Sequence, residues 1–235
     1  MRLYKSVFIA LLTFFSAFPV QSAVDFQKIF TDAQGQIRQY FEEKMPDELR
    51  VKLMQGFVQE KNWRPVAYLV YPLARKGDMN AQVNLGLMYI NGWGVPQDYN
   101  KAYWWLSEAA EKGSIKAINN LAGLYLDGNG TKKDIPHAIK LFEKTADSNS
   151  TNAMLLLGRI YYEKVKDYSK ALHWFSKGSE KGDLESKYRL ALMYEKGEGT
   201  PVDPQKANAL YEQVAAQNGQ FSNDAKQKLA RFSAR

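Results

Sequence analysis

The sequence predicts an all-α protein of the α-solenoid class, a row of antiparallel helix pairs in which each pair packs only against its neighbours. A short phrase that begins with leucine and ends with tyrosine occurs four times, and its tyrosines lie 36, 36 and 33 residues apart, at Tyr89, Tyr125, Tyr161 and Tyr194. Apolar residues recur at helical spacing in each copy. A period in the mid-thirties is typical of repeats made of two helices.

The first helix of each repeat, the A helix, carries the tyrosine phrase. Ala81, Leu85 and Tyr89 follow one another at i, i+4 and i+8 and form one apolar stripe. Small residues recur at two positions, where we expect a neighbouring helix to approach closely: Ala81, Ala117, Ala153 and Ser186, and Gly86, Ala122, Gly158 and Ala191. Glycine ends three of the A helices, because it readily adopts the left-handed conformation that stops a helix.

The second helix, the B helix, follows an aspartate, namely Asp98, Asp134, Asp167 or Asp203. We expect each aspartate to cap its helix by accepting a backbone N–H. The third repeat has three residues fewer between its tyrosine and its aspartate and lacks both loop glycines. The sequence therefore predicts a tighter turn there, with unchanged stacking of the helices.

The pattern extends weakly beyond the four repeats, which span 80–219. Shifting it back by 36 residues aligns Met45, Leu49 and Leu53 with the first A-helix stripe, so 45–79 is predicted to be a degenerate repeat. An N-terminal helix is predicted for 24–44.

The C-terminal residues 220–235 are predicted to form a capping helix, with Leu229 and Phe232 inward and its lysines outward. About twelve helices in one domain result, because no interdomain linker interrupts the pattern.

Residues 1–23 read as a cleaved signal peptide, with a basic start, an apolar run and small residues before the cleavage site. The run from Ser6 to Val20 is shorter than the roughly 20 residues that a membrane-spanning helix needs. We therefore expect export to the periplasm of a Gram-negative bacterium, or secretion, with no stable membrane insertion after cleavage. A retained anchor is the alternative.

Composition narrows the classes of partner. The chain has no cysteine, so an exported protein of this sequence must rely on helix stacking rather than on disulfides. Its net charge is +7, but lysine and arginine are scattered among acids. This favours a solubilising surface, with weak attraction to anionic surfaces as the alternative. Export argues against nucleic acid as a partner.

The repeat from Ala81 to Gly113, with its Leu85–Tyr89 phrase, its Gly92–Val95 loop and Asp98, resembles the Sel-1-like repeat (SLR) family. The resemblance extends over about 80–219. It implies a right-handed superhelix whose concave face serves as a scaffold or adaptor. Exported bacterial proteins of this family include envelope assembly factors, host-interaction factors and immunity proteins against phospholipase toxins of type VI secretion. A cysteine-rich branch also exists, from which this cysteine-free chain departs.

The sequence contains no convincing catalytic, cofactor or metal site. The Gly-x-Gly loops follow helices, whereas a phosphate-binding loop follows a strand. His137 and His173 occupy different repeat positions, and neither has a second ligand at metal-binding spacing. We therefore predict that the protein is not an enzyme and uses no cofactor.

Partner binding is predicted on the outward side of the A helices, where residues differ between repeats. We call these positions, taken at i, i+4, i+7 and i+11, the A-helix strip: Asn80, Asn84, Leu87 and Asn91; Lys116, Asn120, Gly123 and Asp127; Asn152, Leu156, Arg159 and Glu163; Glu185, Arg189, Leu192 and Lys196. An ordinary solvated face is the alternative interpretation.

A second candidate is the aromatic cluster Trp93, Tyr99, Tyr103 and Trp104, of which Trp93 and Tyr103 are expected to be exposed. The leading hypothesis is a periplasmic scaffold that binds another protein through the concave face. One alternative is an immunity protein that blocks a type VI phospholipase toxin. A further one is a glycan-binding regulator or an enzyme, although the strip lacks the aromatic residues that stack on glycans.

Overall fold

A computed structural model describes residues 45–233. These residues form α-helices joined by turns and short loops, with one π-helical turn and no β-strand, which confirms the predicted all-α class. The helices are α1 (Asp47–Gln59), α2 (Trp63–Arg75), α3 (Met79–Asn91), α4 (Tyr99–Glu111), α5 (Ile115–Asp127), α6 (Ile135–Asp147), α7 (Thr151–Arg159), α8 (Tyr168–Glu180), α9 (Leu184–Lys196), α10 (Pro204–Ala215) and α11 (Gln220–Ser233).

The chain forms two compact units. Unit 1 ends at Asp134 and contains α1–α5, whereas unit 2 begins at Ile135 and contains α6–α11. The boundary lies inside the second repeat, between its A helix α5 and its B helix α6. Contacts along such a chain are local, because each repeat contacts mainly its neighbours.

Small residues of the A helices let the B helices approach closely, as the sequence predicts. Gly86 faces Leu106, and a Cβ on this glycine would lie 2.7 Å from the leucine Cγ. In unit 2 a Cβ on Gly158 would lie 2.5 Å from the Phe175 ring. Leu106 and Phe175 are both almost fully buried. In the first and third repeats, the A and B helices therefore pack closely at the glycine.

The two loop glycines have separate structural roles. Gly92 ends α3 in the left-handed conformation, with φ of 70°. Gly94 also has positive φ, and a Cβ there would collide with the carbonyl of Trp63 at the start of α2. The first glycine therefore stops the helix, and the second lets the loop pack against the preceding B helix.

The third repeat closes its shorter turn with a π-helical segment, Ile160–Val165, followed by Lys166 in the left-handed conformation. The N–H of Asp167 donates to the carbonyl of Tyr161 at 3.0 Å, and the same bond joins Asp98 to Tyr89 at 3.0 Å. The connection is shorter, as predicted, but it is made by a wider π-helical turn rather than by a tighter one. With three residues fewer, it brings the capping aspartate to the same hydrogen bond that the glycine loop of the first repeat forms.

Three of the four aspartates before the B helices cap them as predicted, and the cap expected from Asp134 stays a prediction. Asp98, Asp167 and Asp203 each accept a backbone N–H three residues later, at 2.9–3.0 Å. The residue that donates is a lysine in all three repeats, and its Nζ lies 5.1–5.6 Å from the centre of the motif tyrosine ring. Sequence analysis did not identify the corresponding caps of the A helices, which are Asp78, Ser114, Ser150 and Asp183.

A helix pair, α1 and α2, occupies the segment predicted to be a degenerate repeat. Gly56, which aligns with the helix-ending Gly92, lies inside α1, and the turn is made instead around Lys61 with φ of 54°. The predicted signal peptide and the helix at 24–44 lie outside the described residues. Among the helices that the structure describes, none is both long and apolar enough to cross a membrane.

The C-terminal helix α11 begins at Gln220, and Leu229 and Phe232 pack against the cluster around Tyr211 as expected. The prediction that its lysines point outward is wrong for Lys228. The Nζ of Lys228 lies 2.8 Å from the Glu195 carboxylate on α9. The ammonium group thus pairs inside the unit instead of facing solvent.

Candidate partner-binding surface

In unit 1 the A-helix strip is neutral over most of its length and open to solvent. Asn80 and Asn84 are exposed on α3, and no hydrogen bond of their side chains is found among the described residues. The amide of Asn91 donates to the carbonyl of Leu87 at 2.8 Å, and that of Asn120 donates to Lys116 at 2.7 Å. The first two amides of the strip therefore have no partner among the described residues, whereas the next two bond to their own helices.

Asn80 and Asn84 line a cavity of about 710 Å³ between α1, α2 and α3. Its apolar floor is formed by Val51, Met54, Val70, Leu73 and Ala81. Its polar rim consists of Asp47, Glu48, Lys76, Asp78, Asn80 and Asn84.

Sequence analysis missed the cavity because α1 was read only through its stripe at Met45, Leu49 and Leu53. Val51 lies on another side of the same helix and stays 42% exposed.

In unit 2 the strip is charged, and its charges pair with one another. The guanidinium of Arg189 lies 2.7 Å from Glu185 and 3.7 Å from Glu163. Glu163 also lies 3.7 Å from Arg159, and Lys196 lies 3.8 Å from Glu198. The alternating signs neutralise one another, so this part of the strip presents little free charge.

The π turn brings two of its own side chains onto the next repeat. Glu163 reaches Arg189, and the hydroxyl of Tyr162 donates to Glu198 at 2.8 Å. Burial, together with the Glu198 carboxylate, raises the pKa of Tyr162 to about 12. The shortened repeat thus supplies groups that join α9 and its following loop to the preceding repeat.

All predicted strip residues are exposed or half-buried, but the order of exposure among the aromatic residues differs from the prediction. Trp93 is 42% exposed and stacks on Trp63 at 5.0 Å. Tyr103 is half-buried, and its hydroxyl lies 2.7 Å from that of Tyr125. Trp104, at 53%, is the more exposed residue.

Helix geometry explains the error. The buried residues of α4 are Ala102, Trp105, Leu106 and Ala109. At 100° per residue, Trp104 lies nearly opposite the centre of this set, whereas Tyr103 lies at its edge. The register of α4 alone would have identified Trp104 as the outward residue.

No catalytic or metal-binding arrangement is found among the described residues, which contain no group of three or more His, Cys, Asp or Glu side chains able to hold a metal ion. His173 packs edge-on against Trp174, with ring centres 5.3 Å apart. His137 precedes its repeat alanine, and so takes the position that Lys101, Lys170 and Lys206 take in the other repeats. The side-chain chemistry that the surface offers is recognition by amides, charges and exposed indoles.

Solved structures of known proteins have the same repeat fold. A Sel1 repeat protein from Oxalobacter formigenes superimposes with a TM-score of 0.65 at 27% identity, over 77% of this chain and 74% of that one. A protective antigen of uropathogenic Escherichia coli with an SLR fold gives 0.69 at 22% identity, over 92% of this chain but only 46% of that one. A Sel1 repeat protein from Klebsiella pneumoniae gives 0.51 at 24% identity, over 86% of this chain and 100% of that one.

A comparison with curated protein sequences gives no match. The Sel1 repeat family model matches residues 80–114, 115–150, 151–183 and 184–219. Each match contains one tyrosine phrase and one B helix, and together the matches cover more than half of the sequence. The chain belongs to the Sel1 repeat family.

Proposed function

We propose that this chain is an exported protein-binding scaffold or adaptor that recognises a partner through the A-helix strip, on the face predicted to be concave. The strongest support comes from the exposed amides of the strip in unit 1 and the cavity beside them. Its first amides, Asn80 and Asn84, lack hydrogen-bonding partners among the described residues and border an open cavity with an apolar floor. Protein interfaces combine an apolar centre with a rim of polar groups that form hydrogen bonds, and this part of the strip offers both.

Catalysis is not part of this proposal. The strip contains no nucleophile–base pair, and its carboxylates in unit 2 are engaged with arginines. Glycan binding is also disfavoured, because the exposed Trp93 and Trp104 lie on a loop and on a B helix rather than along the strip.

Affinity purification tests the proposal. The tagged mature chain is used to capture proteins from a periplasmic extract of its source, followed by mass spectrometry. The strip variant combines Asn84→Lys, Asn120→Lys and Arg159→Glu. A matched control makes the same changes of charge off the strip, at exposed residues: Asn100→Lys, Asn218→Lys and Arg231→Glu.

A partner that binds the wild type and the control, but not the strip variant, is the expected result. Capture of envelope components would identify an assembly adaptor, whereas capture of a phospholipase toxin would identify an immunity protein. Equal capture by both variants would contradict the strip as the binding surface. Cell fractionation, with sequencing of the mature N-terminus, tests export separately.

A further inference from the structure

We propose that the cavity between α1, α2 and α3 binds an extended peptide segment that carries lysine or arginine next to an aliphatic side chain. This inference rests on the proposed scaffold function and adds the location of the site and the chemistry of the partner. Three features of the cavity support it, namely the spacing of its amides, its apolar floor and the charge of its rim.

The spacing of the amides of Asn80 and Asn84 matches the repeat of an extended chain. Asn80 and Asn84 are four residues apart on α3, which corresponds to about 6 Å along the helix axis. Two residues of an extended peptide span roughly 6.6 Å. An asparagine side chain both donates and accepts hydrogen bonds, so each amide can bond the N–H or the C=O of a peptide backbone. Successive turns of α3 can therefore hold alternate residues of the peptide.

The apolar floor lies beside these amides. Val51 is 42% exposed, and Met54 and Leu73 are half-buried, so that part of each side chain is accessible from the cavity. Side chains of an extended peptide alternate between two faces, and every second one would point to this floor. The volume of about 710 Å³ lies within the range of roughly 300–1,000 Å³ that is usual for ligand pockets. Aliphatic side chains are the groups that such a floor binds.

The rim favours cations over anions. Its charged side chains are the carboxylates of Asp47, Glu48 and Asp78 and the ammonium of Lys76. Asp47 is paired with Lys76 at 3.1 Å and with Arg50 at 3.3 Å, and Asp78 caps α3, so Glu48 is the carboxylate best placed to bind a cation. The Glu48 side chain is 84% exposed, and its described ion pair is with exposed Lys52 at 3.4 Å. Such a solvent-screened pair contributes little, and a peptide lysine can replace it.

The net charge of the whole chain, +7, would repel a cationic peptide at long range. A preference for lysine must therefore arise locally.

The test uses two fluorescently labelled hexapeptides, one alternating lysine with leucine and the other alternating glutamate with leucine. Their binding to the full chain is measured by fluorescence anisotropy at physiological ionic strength. The cavity variants are Glu48→Lys, Val51→Asn and Asn84→Ala. The matched controls are Glu111→Lys, Val58→Asn and Asn100→Ala, at exposed residues of unit 1 that do not line the cavity. Val58 is the closest match, because it lies on the same helix as Val51 and is 41% exposed.

We expect the lysine peptide to bind more tightly than the glutamate peptide. We also expect each cavity variant to weaken its binding about tenfold, a change of roughly 1.4 kcal/mol, with the controls unchanged. All variants should retain the wild-type circular dichroism spectrum, because every substituted residue is exposed.

Absence of binding, equal binding of the two peptides, or equal effects of cavity and control variants would overturn the inference. A dimer that dissociates on Glu48→Lys would place a second copy of the chain in the cavity, and would also overturn it. The scaffold proposal would survive if the captured partner were lost on the strip variant but retained by Glu48→Lys and Val51→Asn.

Discussion

Units 1 and 2 are built from the same repeat, yet they connect their helices through different polar chemistry. In unit 1 the hydroxyls of Tyr103 and Tyr125 pair, and Lys112 donates to the carbonyl of Gly77 and the amide oxygen of Gln82. In unit 2 the polar contacts that join neighbouring helices end on carboxylates, although at other repeat positions: those of Glu163, Glu195 and Glu198.

The difference shows that the repeat motif determines the backbone and the apolar packing but leaves the polar contacts between helices free to diverge. Where those contacts are ionic, as in unit 2, the charged side chains hold neighbouring helices together. Between α3 and α4 and between α4 and α5 in unit 1 they end on neutral groups, and the amides of Asn80 and Asn84 at the start of the strip have no hydrogen bond to a described residue.

The largest effect on stability is expected from removing the carboxylate of Glu195, which joins α9 to α10 and α11. Glu195 accepts hydrogen bonds from Tyr211 at 2.6 Å and from Lys228 at 2.8 Å, and the tyrosine is fully buried. Glu195→Ala leaves these donors unsatisfied, so we expect a loss of about 2 kcal/mol in the free energy of unfolding. Urea denaturation measures this loss. Glu212→Ala, at an exposed position beside Tyr211, is the control. Equal stability of the two variants would contradict a stabilising role for the hydrogen bonds of Glu195.

Acid should weaken unit 2 through the same residue. Burial alone would raise the pKa of Glu195, but hydrogen bonds from Lys228 and Tyr211 outweigh burial and hold the pKa below its usual value. A carboxyl whose pKa is lowered in the folded state stabilises the protein above its unfolded pKa of about 4.3. This contribution is lost as the pH falls through the folded pKa.

Hydrogen exchange between pH 6 and pH 3 should therefore show protection of α9–α11 falling more in the wild type than in Glu195→Gln, which has no carboxyl to protonate there. Parallel loss in the two proteins would assign the acid sensitivity to other groups.

Unit 1, by contrast, should lose stability at high pH. The hydrogen bond to Tyr103, with a further contribution from burial, raises the pKa of Tyr125 to about 12. A raised tyrosine pKa stabilises the fold fully below the unfolded pKa of about 10, and this contribution is lost as the pH rises through the folded pKa.

Tyr103→Phe should move the pKa of Tyr125 back toward 10 and cost about 1 kcal/mol of stability. Tyrosinate absorbance and thermal unfolding measure the two effects. Tyr99→Phe is the control, because the Tyr99 hydroxyl bonds to Gln97 instead. If the pKa of Tyr125 were unchanged in Tyr103→Phe, the hydrogen bond between the two hydroxyls would not be what raises it.

Much of the fold could be predicted from the sequence, because its signals are local. The aspartate caps and the helix-ending glycines depend on backbone geometry within a few residues, and they lie where their spacing placed them. The surface was less predictable. The contact of Tyr162 with Glu198 joins residues 36 positions apart. It depends on a π turn that no pattern in the sequence predicted. Lys228 turned inward because Glu195, a residue outside the repeat pattern, offered it a carboxylate.

The smallest effects on stability are expected from single substitutions in the strip, and they should differ between unit 2 and unit 1. Arg189→Met leaves the carboxylates of Glu163 and Glu185 without this cation, and should cost about 0.5 kcal/mol because the pairs are partly exposed. The difference from the wild type should shrink in high salt. Asn84→Ala should leave stability within about 0.5 kcal/mol of the wild type at any salt concentration, because its exposed amide bonds to no described residue.

Thermal unfolding at low and high salt measures both variants, with Arg231→Met as the control for loss of an exposed arginine. A salt-independent cost at Arg189 would mean that its packing, including its position 6.0 Å from the Phe175 ring, matters more than its charge. The expected pair of results would mean that a partner of the strip in unit 2 must compete with existing ion pairs, whereas a partner that binds the amide of Asn84 in unit 1 breaks no hydrogen bond to a described residue. Unit 1 is then the part of the strip where binding can change without changing the fold.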